Sequence, residues 1–514
     1  MRTLIKRFTW IVVFVLNLAN TLTAQKEGDQ WLFCYLGSGN LATRLPGSTL
    51  NFNSKPMKLD SVKRIMSFDK ANSSICDKNG KLLLACNSCW VAGPDNNILE
   101  NGGGLNPTGP LVPPVFRDFC RDSISGLPYT QSIIILPNPK GDSTYYIFHT
   151  HARQHFYTPF SPNNWTVIAA PTYISIADMR INKIVKKNHP ILDDSVFLCK
   201  MAVKHKNKRD WWLLMPMVNQ NRYVRFLLAP DTVIGPFYQE IGDVNSIDGV
   251  LSGQACFSHD GKHYVKTDLA NQIFLFDFDR ETGLLSNYRK MTLPEIYDTG
   301  CAFSPSNRYL YISTAYHIYQ YDMQDPNIES SRMTVAEFDG FRGDDIFFPT
   351  YFWQMLLGPD CRIYMNCSGG NPRHLHVIAN PDRRGPECTV LQHSIRLSST
   401  NNNTIPNIPQ FRIDEPWPCD SSAVVSTPGI FEIPLSLSPN PVSDELQIGY
   451  DLRGDYQHSV AEVWDMQGRL MVRQPLDSYQ NRTSLSTRDW LPGIYAVRIV
   501  QYGRVLAWDK VVKR

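Results

Sequence analysis

The sequence has few of the features that mark an enzyme, a membrane protein or a nucleic-acid binder. Beyond residue 24, no segment approaches the ~18 consecutive apolar residues that cross a bilayer, so no transmembrane helix is expected there. The motifs G-x-S-x-G, H-E-x-x-H and G-x-x-x-x-G-K-[ST] are missing. The 51 basic and 48 acidic residues nearly balance, which argues against a nucleic-acid partner. We therefore expect no cofactor and no catalytic residues that a motif would identify.

What the chain does have is enough apolar material for a large core. Of its 514 residues, 43% are hydrophobic and 11% aromatic, which excludes wholesale disorder. At roughly 100–200 residues per domain, the length predicts about two to four domains. Long amphipathic helical windows are absent, and runs such as Gln272–Asp279 place hydrophobic residues on both faces of a strand. These patterns predict an all-β protein.

The N-terminus has the three-part layout of a secretory signal peptide. Arg2, Lys6 and Arg7 form a positive region, a short apolar core spans Trp10–Leu18, and Ala24 stands at the expected cleavage point. We predict a signal peptide at 1–24. An uncleaved anchor remains the alternative, because the residue at position −3 of the cut, Leu22, is not small.

Export would place the twelve cysteines in an oxidising compartment, where an even number favours disulfides. Cys86 and Cys89 have the spacing of a redox or zinc pair, but no second C-x-x-C accompanies them. A structural disulfide, for example Cys89 to Cys120, is the preferred interpretation.

A loose repeat runs through the region that follows. A tight polar turn and an aromatic strand recur after Phe257, Phe303 and Leu357, and Ser74–Leu82 has the form of an earlier copy. A period of ~40–50 residues with about four strands per unit is typical of a β-propeller. We therefore predict a β-propeller body over residues 25–414 with about seven or eight blades. Stacked β-sandwiches are the alternative.

The repeat resembles that of WD40-like and TolB-like propellers, because Phe257-Ser-His-Asp-Gly-Lys262 matches their Phe-Ser-x-Asp-Gly-Lys turn. The N-terminal part is also similar to the opening of large secreted bacterial propeller proteins with type IX secretion. Four stretches carry that likeness: 79–84, 101–106, 131–137 with 145–148, and 203–205 with 209–212. The resemblance implies a structural or binding role and brings no catalytic set.

After residue 414 the composition changes. Proline and serine dominate 415–434, which predicts a linker. The last segment, 435–514, alternates apolar and polar residues in short runs around a hairpin turn at Asp465–Gly468. That pattern predicts a small immunoglobulin-like β-sandwich.

This last segment resembles the C-terminal sorting domain of type IX secretion substrates. The matching stretches are Ser438–Val442, Val463–Leu470, Leu491–Tyr495 and Lys510–Lys513. The resemblance implies that the following residues form the sorting motif: Pro439, Asn440, Pro441, Gly468, Gly493, Tyr495, Lys510 and Lys513. It further implies a type IX translocon and a sortase-like peptidase as partners, cleavage in the linker, and secretion or an outer-surface location. An ordinary adhesion sandwich is the alternative.

Histidines provide the strongest indication of a metal site. His149, His151 and His155 would share one face of a strand, and His374 and His376 repeat the pattern more weakly. No carboxylate stands close to the first group in sequence. We therefore predict structural histidines and no metal.

A basic run at 180–209 holds nine lysines and arginines against two aspartates, and Trp211-Trp212 follows it. These residues would suit a surface glycan or protein ligand, but solvated strand edges and blade core are the preferred explanation. We predict a secreted or cell-surface propeller that acts as a binding module. The alternative is a surface hydrolase of glycan or peptide, whose acids and histidines would converge on the propeller channel.

Overall fold

The structure is a computed structural model. It describes residues 25–35, 45–107, 120, 126–156, 165–246, 253–268, 272–295, 297, 299–343, 348–413, 435–450, 452, 459–476, 481–501 and 504–514. The predicted signal peptide and the predicted linker therefore lie outside the described residues. The chain divides into two compact units, one holding the body and the other holding the C-terminal segment.

The described body folds into seven consecutive antiparallel blades. Blade 1 has three strands, β1 (Gln30–Phe33), β2 (Leu45–Asn51) and β3 (Lys58–Arg64). Blades 2 and 3 comprise β4 (Ser73–Cys76), β5 (Leu82–Cys86), β6 (Trp90–Ala92), β7 (Ile98–Gly103), β8 (Ile133–Pro137), β9 (Thr144–Phe156), β10 (Trp165–Asp178) and β11 (Lys183–Leu192). Their outer strands pair in parallel at Glu100 and Lys183, so the two blades form one eight-stranded sheet.

Blades 4 to 7 each have four strands. Blade 4 comprises β12 (Met201–Lys204), β13 (Trp211–Pro216), β14 (Arg222–Ala229) and β15 (Thr232–Glu240), and blade 5 comprises β16 (Ala255–Phe257), β17 (His263–Thr267), β18 (Gln272–Asp279) and β19 (Leu284–Thr292). Blade 6 comprises β20 (Gly300–Phe303), β21 (Tyr309–Ser313), β22 (His317–Asp322) and β23 (Met333–Glu337), and blade 7 comprises β24 (Tyr351–Leu357), β25 (Ile363–Ser368), β26 (His374–Ile378) and β27 (Val390–Arg396). The prediction of a β-propeller is confirmed.

The sequence repeat corresponds to the first hairpin of a blade. The pairs Phe257–Tyr264, Phe303–Leu310 and Leu357–Ile363 occupy the same position in blades 5, 6 and 7. Its turn needs a left-handed residue, supplied by Gly261 (φ +69°) in blade 5 and by Gly80 (φ +83°) in blade 2. The repeat is therefore visible in the sequence because this turn restricts residue choice.

Apolar side chains fill the spaces between successive blades. Tyr223 and Trp212 of blade 4 pack with Tyr264 and Phe276 of blade 5, all of them buried. Similar clusters lie between blades 5 and 6, between blades 6 and 7, and between blades 1 and 2. Each blade thus buries both faces, which a single four-stranded sheet cannot do alone.

The C-terminal unit is a two-sheet sandwich. One sheet contains β28 (Leu435–Ser438), β29 (Glu445–Tyr450) and β32 (Arg482–Ser486). The other contains β30 (Ser459–Asp465), β31 (Leu470–Pro475), β33 (Gly493–Gln501) and β34 (Arg504–Lys513). Ile448, Val463, Val497 and Val511 are buried in its core. The predicted immunoglobulin-like sandwich is confirmed, with β28 and β31 as additional strands.

One predicted disulfide is present. Cys89 and Cys120 are bonded, with their Cα atoms 4.9 Å apart, and Cys361 is also disulfide-bonded. Among the described residues, eight further cysteines are free thiols: Cys34, Cys76, Cys86, Cys199, Cys256, Cys301, Cys367 and Cys388. No helix in the described part of the chain is long and apolar enough to cross a membrane.

Candidate functional site

The central channel of the propeller holds a segment of its own chain. This segment, residues 398–413, follows β27 and is called the strap. It begins against blade 1, where Thr400 Oγ1 donates to the Tyr35 carbonyl at 2.7 Å and Ser398 N donates to Ser48 Oγ at 2.7 Å. It then runs past the innermost strands of the other blades, and most of its residues are buried.

Asn407 fixes the middle of the strap to blades 2, 3 and 4. Its backbone N–H donates to the Asn72 carbonyl at 2.8 Å, just before β4. Its Nδ2 donates to the carbonyls of Ile133 in blade 3 (2.9 Å) and Lys200, just before blade 4 (3.0 Å). One side chain thereby satisfies backbone groups of neighbouring blades that would otherwise be buried without partners.

Two glutamines connect blades that are not sequence neighbours. Gln131 Oε1 accepts from Ala255 N and its Nε2 donates to Ala255 O, both at 2.9 Å, which links blade 3 to blade 5. Gln254 Oε1 accepts from Cys301 N and from Met355 N, both at 2.9 Å, which links blades 5, 6 and 7. The channel wall is therefore held by amide groups that carry no charge.

Two buried carboxyl groups lie where the strap meets blades 1 and 2. Arg412 Nη2 donates to Asp29 Oδ1 at 2.6 Å, and burial raises the pKa of Asp29. Asn402 Nδ2 donates to Asp69 Oδ1 at 2.5 Å. Burial raises the pKa of Asp69 to about 6, against the lowering effect of Lys70. These carboxyl groups hold the strap, and Asp29 and Arg412 also line a second small void at this end of it.

Part of the remaining space is a small void of about 30 Å³ between the strap, Gln131 and blades 4 to 7. Its walls are mostly apolar, with Met201, Phe303 and Met355 among them. His259, Cys256 and Cys301 are its titratable lining residues. Carboxylate–histidine pairs do occur, at Glu295–His317 (2.7 Å), Asp277–His263 (3.1 Å) and Asp339–His393 (2.9 Å), but none of them lines this void.

The histidines of the first candidate metal group lie inside the fold. In β9, His149 bonds Asn106 Oδ1 through Nδ1 (2.7 Å) and Ser175 Oγ through Nε2 (2.9 Å), so both ring nitrogens are occupied. Burial lowers the pKa of His149 to about 3 and that of His151 to about 4. The side chain of His155 lies outside the described residues. Both described histidines are neutral packing and hydrogen-bonding residues.

His374 and His376 of blade 7 are also buried. His376 Nε2 lies 3.1 Å from Cys367 Sγ, and its Nδ1 accepts from His393 N at 3.0 Å. Burial lowers the pKa of His376 to about 3 and raises that of Cys367 well above its usual value, so neither is poised to ionise. In the part of the chain that the structure describes, no three His, Cys, Asp or Glu side chains are grouped to hold a metal ion.

The basic run at 180–209 does not form one patch. Lys200 and Lys204 are buried. Other members pair with acids, namely Arg180 with Asp178, Lys183 with Glu100, Lys206 with Glu281 and Arg209 with Asp210. The window 180–209 overstates the net positive charge of this surface, because some of the acids that pair with its lysines and arginines lie on strands outside the window.

Trp211 and Trp212 are both core residues. Trp211 packs edge-on against Phe411 of the strap at 5.5 Å, and Trp212 Nε1 donates to the Arg280 carbonyl at 3.0 Å. Neither ring is an exposed sugar platform. Other large hydrophobic side chains are exposed on β15 of blade 4, where Ile234 and the aromatic Phe237 and Tyr238 are 42%, 39% and 43% exposed.

In the C-terminal sandwich, the two ends of the implied motif meet. Asn440 Nδ2 donates to the Lys510 carbonyl at 2.9 Å, and its Oδ1 accepts from Val512 N at 3.0 Å. Val442 forms an isolated parallel β-bridge with Lys513, and Lys513 Nζ donates to the Ser443 carbonyl. The turn at 439–441 is thereby fixed along the last strand.

The remaining motif residues lie at the same end of the sandwich. Across the sheet, Asp465 at the end of β30 pairs with Tyr495, and Tyr495 pairs with Val511. Gly493 pairs with Lys513, and Gly468 belongs to the turn that follows Asp465. Tyr495 packs on Trp490 (4.8 Å between ring centroids) and donates from its hydroxyl to the Leu491 carbonyl at 2.8 Å. All eight predicted motif positions are thus brought together.

That end of the sandwich also exposes apolar side chains. Leu491 is 76% exposed, Met466 68% and Ile494 46%. Ile494 stands opposite Val512, which is 36% exposed, on neighbouring strands. We refer to the eight motif positions together with these four apolar residues as the motif end.

Comparison with protein families finds one match. Residues 436–514 match the model of the secretion system C-terminal sorting domain. The C-terminal sandwich is therefore a type IX secretion sorting domain, and it marks the chain for secretion or for the outer cell surface. A search of the curated proteins finds no match.

Solved structures that are similar to this chain include several propellers. A putative 6-phosphogluconolactonase from Bacteroides uniformis aligns with 52% of this chain and 85% of its own, at 12% identity and a TM-score of 0.32. The β-propeller domain of Cps50 (Swd1) from Myceliophteria thermophila aligns with 63% of this chain and 87% of its own, at 9% identity and a TM-score of 0.33. A functionally unknown protein from Desulfotomaculum acetoxidans aligns with 74% of this chain and 99% of its own, at 11% identity and a TM-score of 0.37.

Proposed function

We propose that the propeller body is an exported interaction module that binds its partner on the outer surface of its blades. The strap carries this proposal. Because the strap fills much of the channel, the part of the axis that the structure describes offers no wide opening in which a large ligand could lie. The void beside it has mostly apolar walls, which supports a binding protein over a hydrolase with a channel site.

We assign this role to the exposed outer edge of blade 4, the β15 strip that carries Ile234, Phe237 and Tyr238. Phe237 and Tyr238 are successive strand residues and lie on opposite faces of this edge, Phe237 beside Trp212 and Tyr238 towards Asp194. Exposed aromatic rings beside arginines are typical of recognition surfaces. The Arg222 guanidinium lies 5.5 Å from the centre of the Tyr238 ring, and that of Arg225 lies 5.5 Å from the Phe237 ring. This combination suits a surface glycan or a protein ligand.

A glycan array and a protein pull-down with the exported chain, run beside a glycosidase and peptidase screen, test this role. We expect a retained ligand, no turnover, and at least tenfold weaker binding after Phe237→Ala with Tyr238→Ala. Tyr297→Ala, which removes another exposed ring (41% exposed), is the matched control. Turnover that survives both changes would favour the hydrolase alternative.

For the sorting domain, we propose that the translocon and a sortase-like peptidase recognise the motif end. Its support is the convergence of the eight motif positions with exposed Leu491 and Met466, whose burial against a partner would be favourable. Cleavage is proposed within 415–434, which would release the body from the sorting domain.

Deletion of 436–514 tests export. We expect the shortened chain to accumulate in the periplasm, as measured by fractionation and surface protease accessibility. A chain that lacks these residues and still reaches the surface would contradict the role of the sorting domain. Leu491→Asp with Ile494→Asp tests the motif end separately, with Arg482→Ala at an exposed position of the other sheet as a control for folding.

A further inference from the structure

Two free thiols lie together on neighbouring innermost strands. Cys256 is in the middle of β16 in blade 5, and Cys301 is in β20 of blade 6. Both side chains line the void beside the strap. Burial raises the pKa of Cys301 well above its usual value, and the neighbouring Cys256 thiol raises it further. They also belong to the same packed cluster between the two blades.

The surrounding backbone holds this pair in place. Cys301 N donates to Gln254 Oε1 at 2.9 Å, and Cys301 Sγ lies 3.5 Å from the Gln254 carbonyl oxygen. Gln254 is only two residues before Cys256, so the same short segment fixes both thiols. Gln254 Oε1 also accepts from Met355 N. Strands β16 and β20 therefore cannot move apart without breaking the hydrogen bonds of Gln254.

The chain folds where thiols become oxidised. It carries a sorting domain for export, and Cys89 and Cys120 already form a disulfide. Cys256 is partly exposed, whereas Cys301 is fully buried. A partly exposed thiol beside a buried one has the arrangement of an attacking and a resolving cysteine.

We propose that Cys256 and Cys301 form a disulfide that joins blades 5 and 6 in the exported protein. The Cys256 thiolate attacks one sulfur of a disulfide-bonded thiol oxidoreductase and displaces the other as a thiolate. The Cys301 thiolate then displaces the oxidoreductase from the mixed disulfide. The chain gives up two electrons and two protons, and the oxidoreductase becomes a dithiol.

Peptide mapping of the exported protein tests the bond. Thiols are blocked with N-ethylmaleimide in intact cells, and the protein is then purified and denatured without reductant in fresh N-ethylmaleimide, so that a free buried Cys301 is also alkylated. The digest is analysed by mass spectrometry. We expect the 256–301 linked pair of peptides as the main species, lost after reduction. Recovery of both cysteines as maleimide adducts, or a link from either one to Cys199 or another cysteine, would overturn the proposal.

Variants keep the test independent of folding failure. Cys256→Ser should leave Cys301 alkylated and lower the Tm, whereas Cys34→Ser, a buried thiol of blade 1, should leave the 256–301 link intact. Reduction should lower the Tm of wild type more than that of Cys256→Ser. Equal shifts in the two proteins would contradict a bond at this position. The result does not depend on which ligand the body binds.

Discussion

At the scale of single residues, the fold depends on a few neutral amides inside the propeller. Asn407, Gln131 and Gln254 occupy positions where a backbone carbonyl or N–H of another blade needs a partner. An amide can donate and accept at the same time, so it satisfies both kinds of group without bringing a charge into the interior.

Asn407→Ala should therefore destabilise the body strongly. The change removes donors to Ile133 O and Lys200 O and the acceptor for Gln131 Nε2. Two buried carbonyls lose this donor and Gln131 Nε2 loses one of its acceptors, which should lower the free energy of unfolding by about 2–4 kcal/mol. Urea denaturation measures this loss. Asn221→Ala, at an exposed position, should change stability little; an equal loss there would contradict the role assigned to the strap asparagine.

Asp69 should make stability depend on pH in a definite direction. Its folded pKa is about 6 and its ordinary value is 3.8, so the folded state favours the protonated carboxyl. The associated penalty is absent below pH 4, grows as the pH rises towards 6, and reaches about 3 kcal/mol above it. Asp69→Asn should thus be more stable than wild type at pH 7, with the difference shrinking towards pH 4.

Unfolding curves between pH 4 and pH 8 measure that difference. Asp194→Asn, at an exposed carboxyl of the body, serves as the control and should follow wild type across the range. A difference between Asp69→Asn and wild type that stays constant with pH would show that Asp69 is ionised throughout.

At the scale of elements, the strap joins the inner strands of several blades, as a closing strand joins the two ends of a closed sheet. It contacts blade 1 at Tyr35, blade 2 at Asn72 and blade 4 at Lys200. The sorting domain has a comparable connection, because the Asn440 side chain bonds the turn at 439–441 to β34.

Truncation distinguishes the strap from the segment after it. A chain that ends at residue 397 should not form a protease-resistant body, because the inner strands of blades 1 to 4 lose their common partner. A chain that ends at residue 434 should keep the protease resistance and the thermal transition of the intact body. Limited proteolysis and circular dichroism measure both, and equal resistance of the two truncations would rule out this role.

Asn440→Ala should loosen the motif end of the sorting domain. It removes the bonds to Lys510 O and Val512 N, which should cost the domain about 1–3 kcal/mol. Surface display, measured as the protease-accessible fraction on intact cells, should fall. Gln467→Ala in the exposed turn beside Gly468 should leave display unchanged; a comparable fall would mean that display does not depend on the tie between Asn440 and β34.

The sequence predicts the blades better than it predicts the strap. The hairpin turn at Gly261 and the apolar strand at Gln272–Asp279 obey local rules, so their repetition is visible in the sequence. Residues 398–413 have no period of two or of 3.6, and their conformation is set by carbonyls of residues more than 200 positions away. The basic run misleads for the same reason, because the Glu100 carboxylate that pairs with Lys183 is distant in sequence.

At the scale of the whole molecule, export and recognition are assigned to different units. The sorting domain sends the chain to the outer surface or the medium, while the propeller presents an exposed strip on blade 4. The body can thus keep one fold while its surface residues determine its ligand.

The strap also determines when the protein can fold. Arg412 bonds the Gln25 carbonyl across 387 positions, and Ser73 Oγ donates to the Asn407 carbonyl across 334. A chain that crosses the inner membrane from its N-terminus must therefore wait for the last body residues before the ring is complete. Contacts of such long range form slowly, so the closing of the ring is expected to be a late step in the folding of the body.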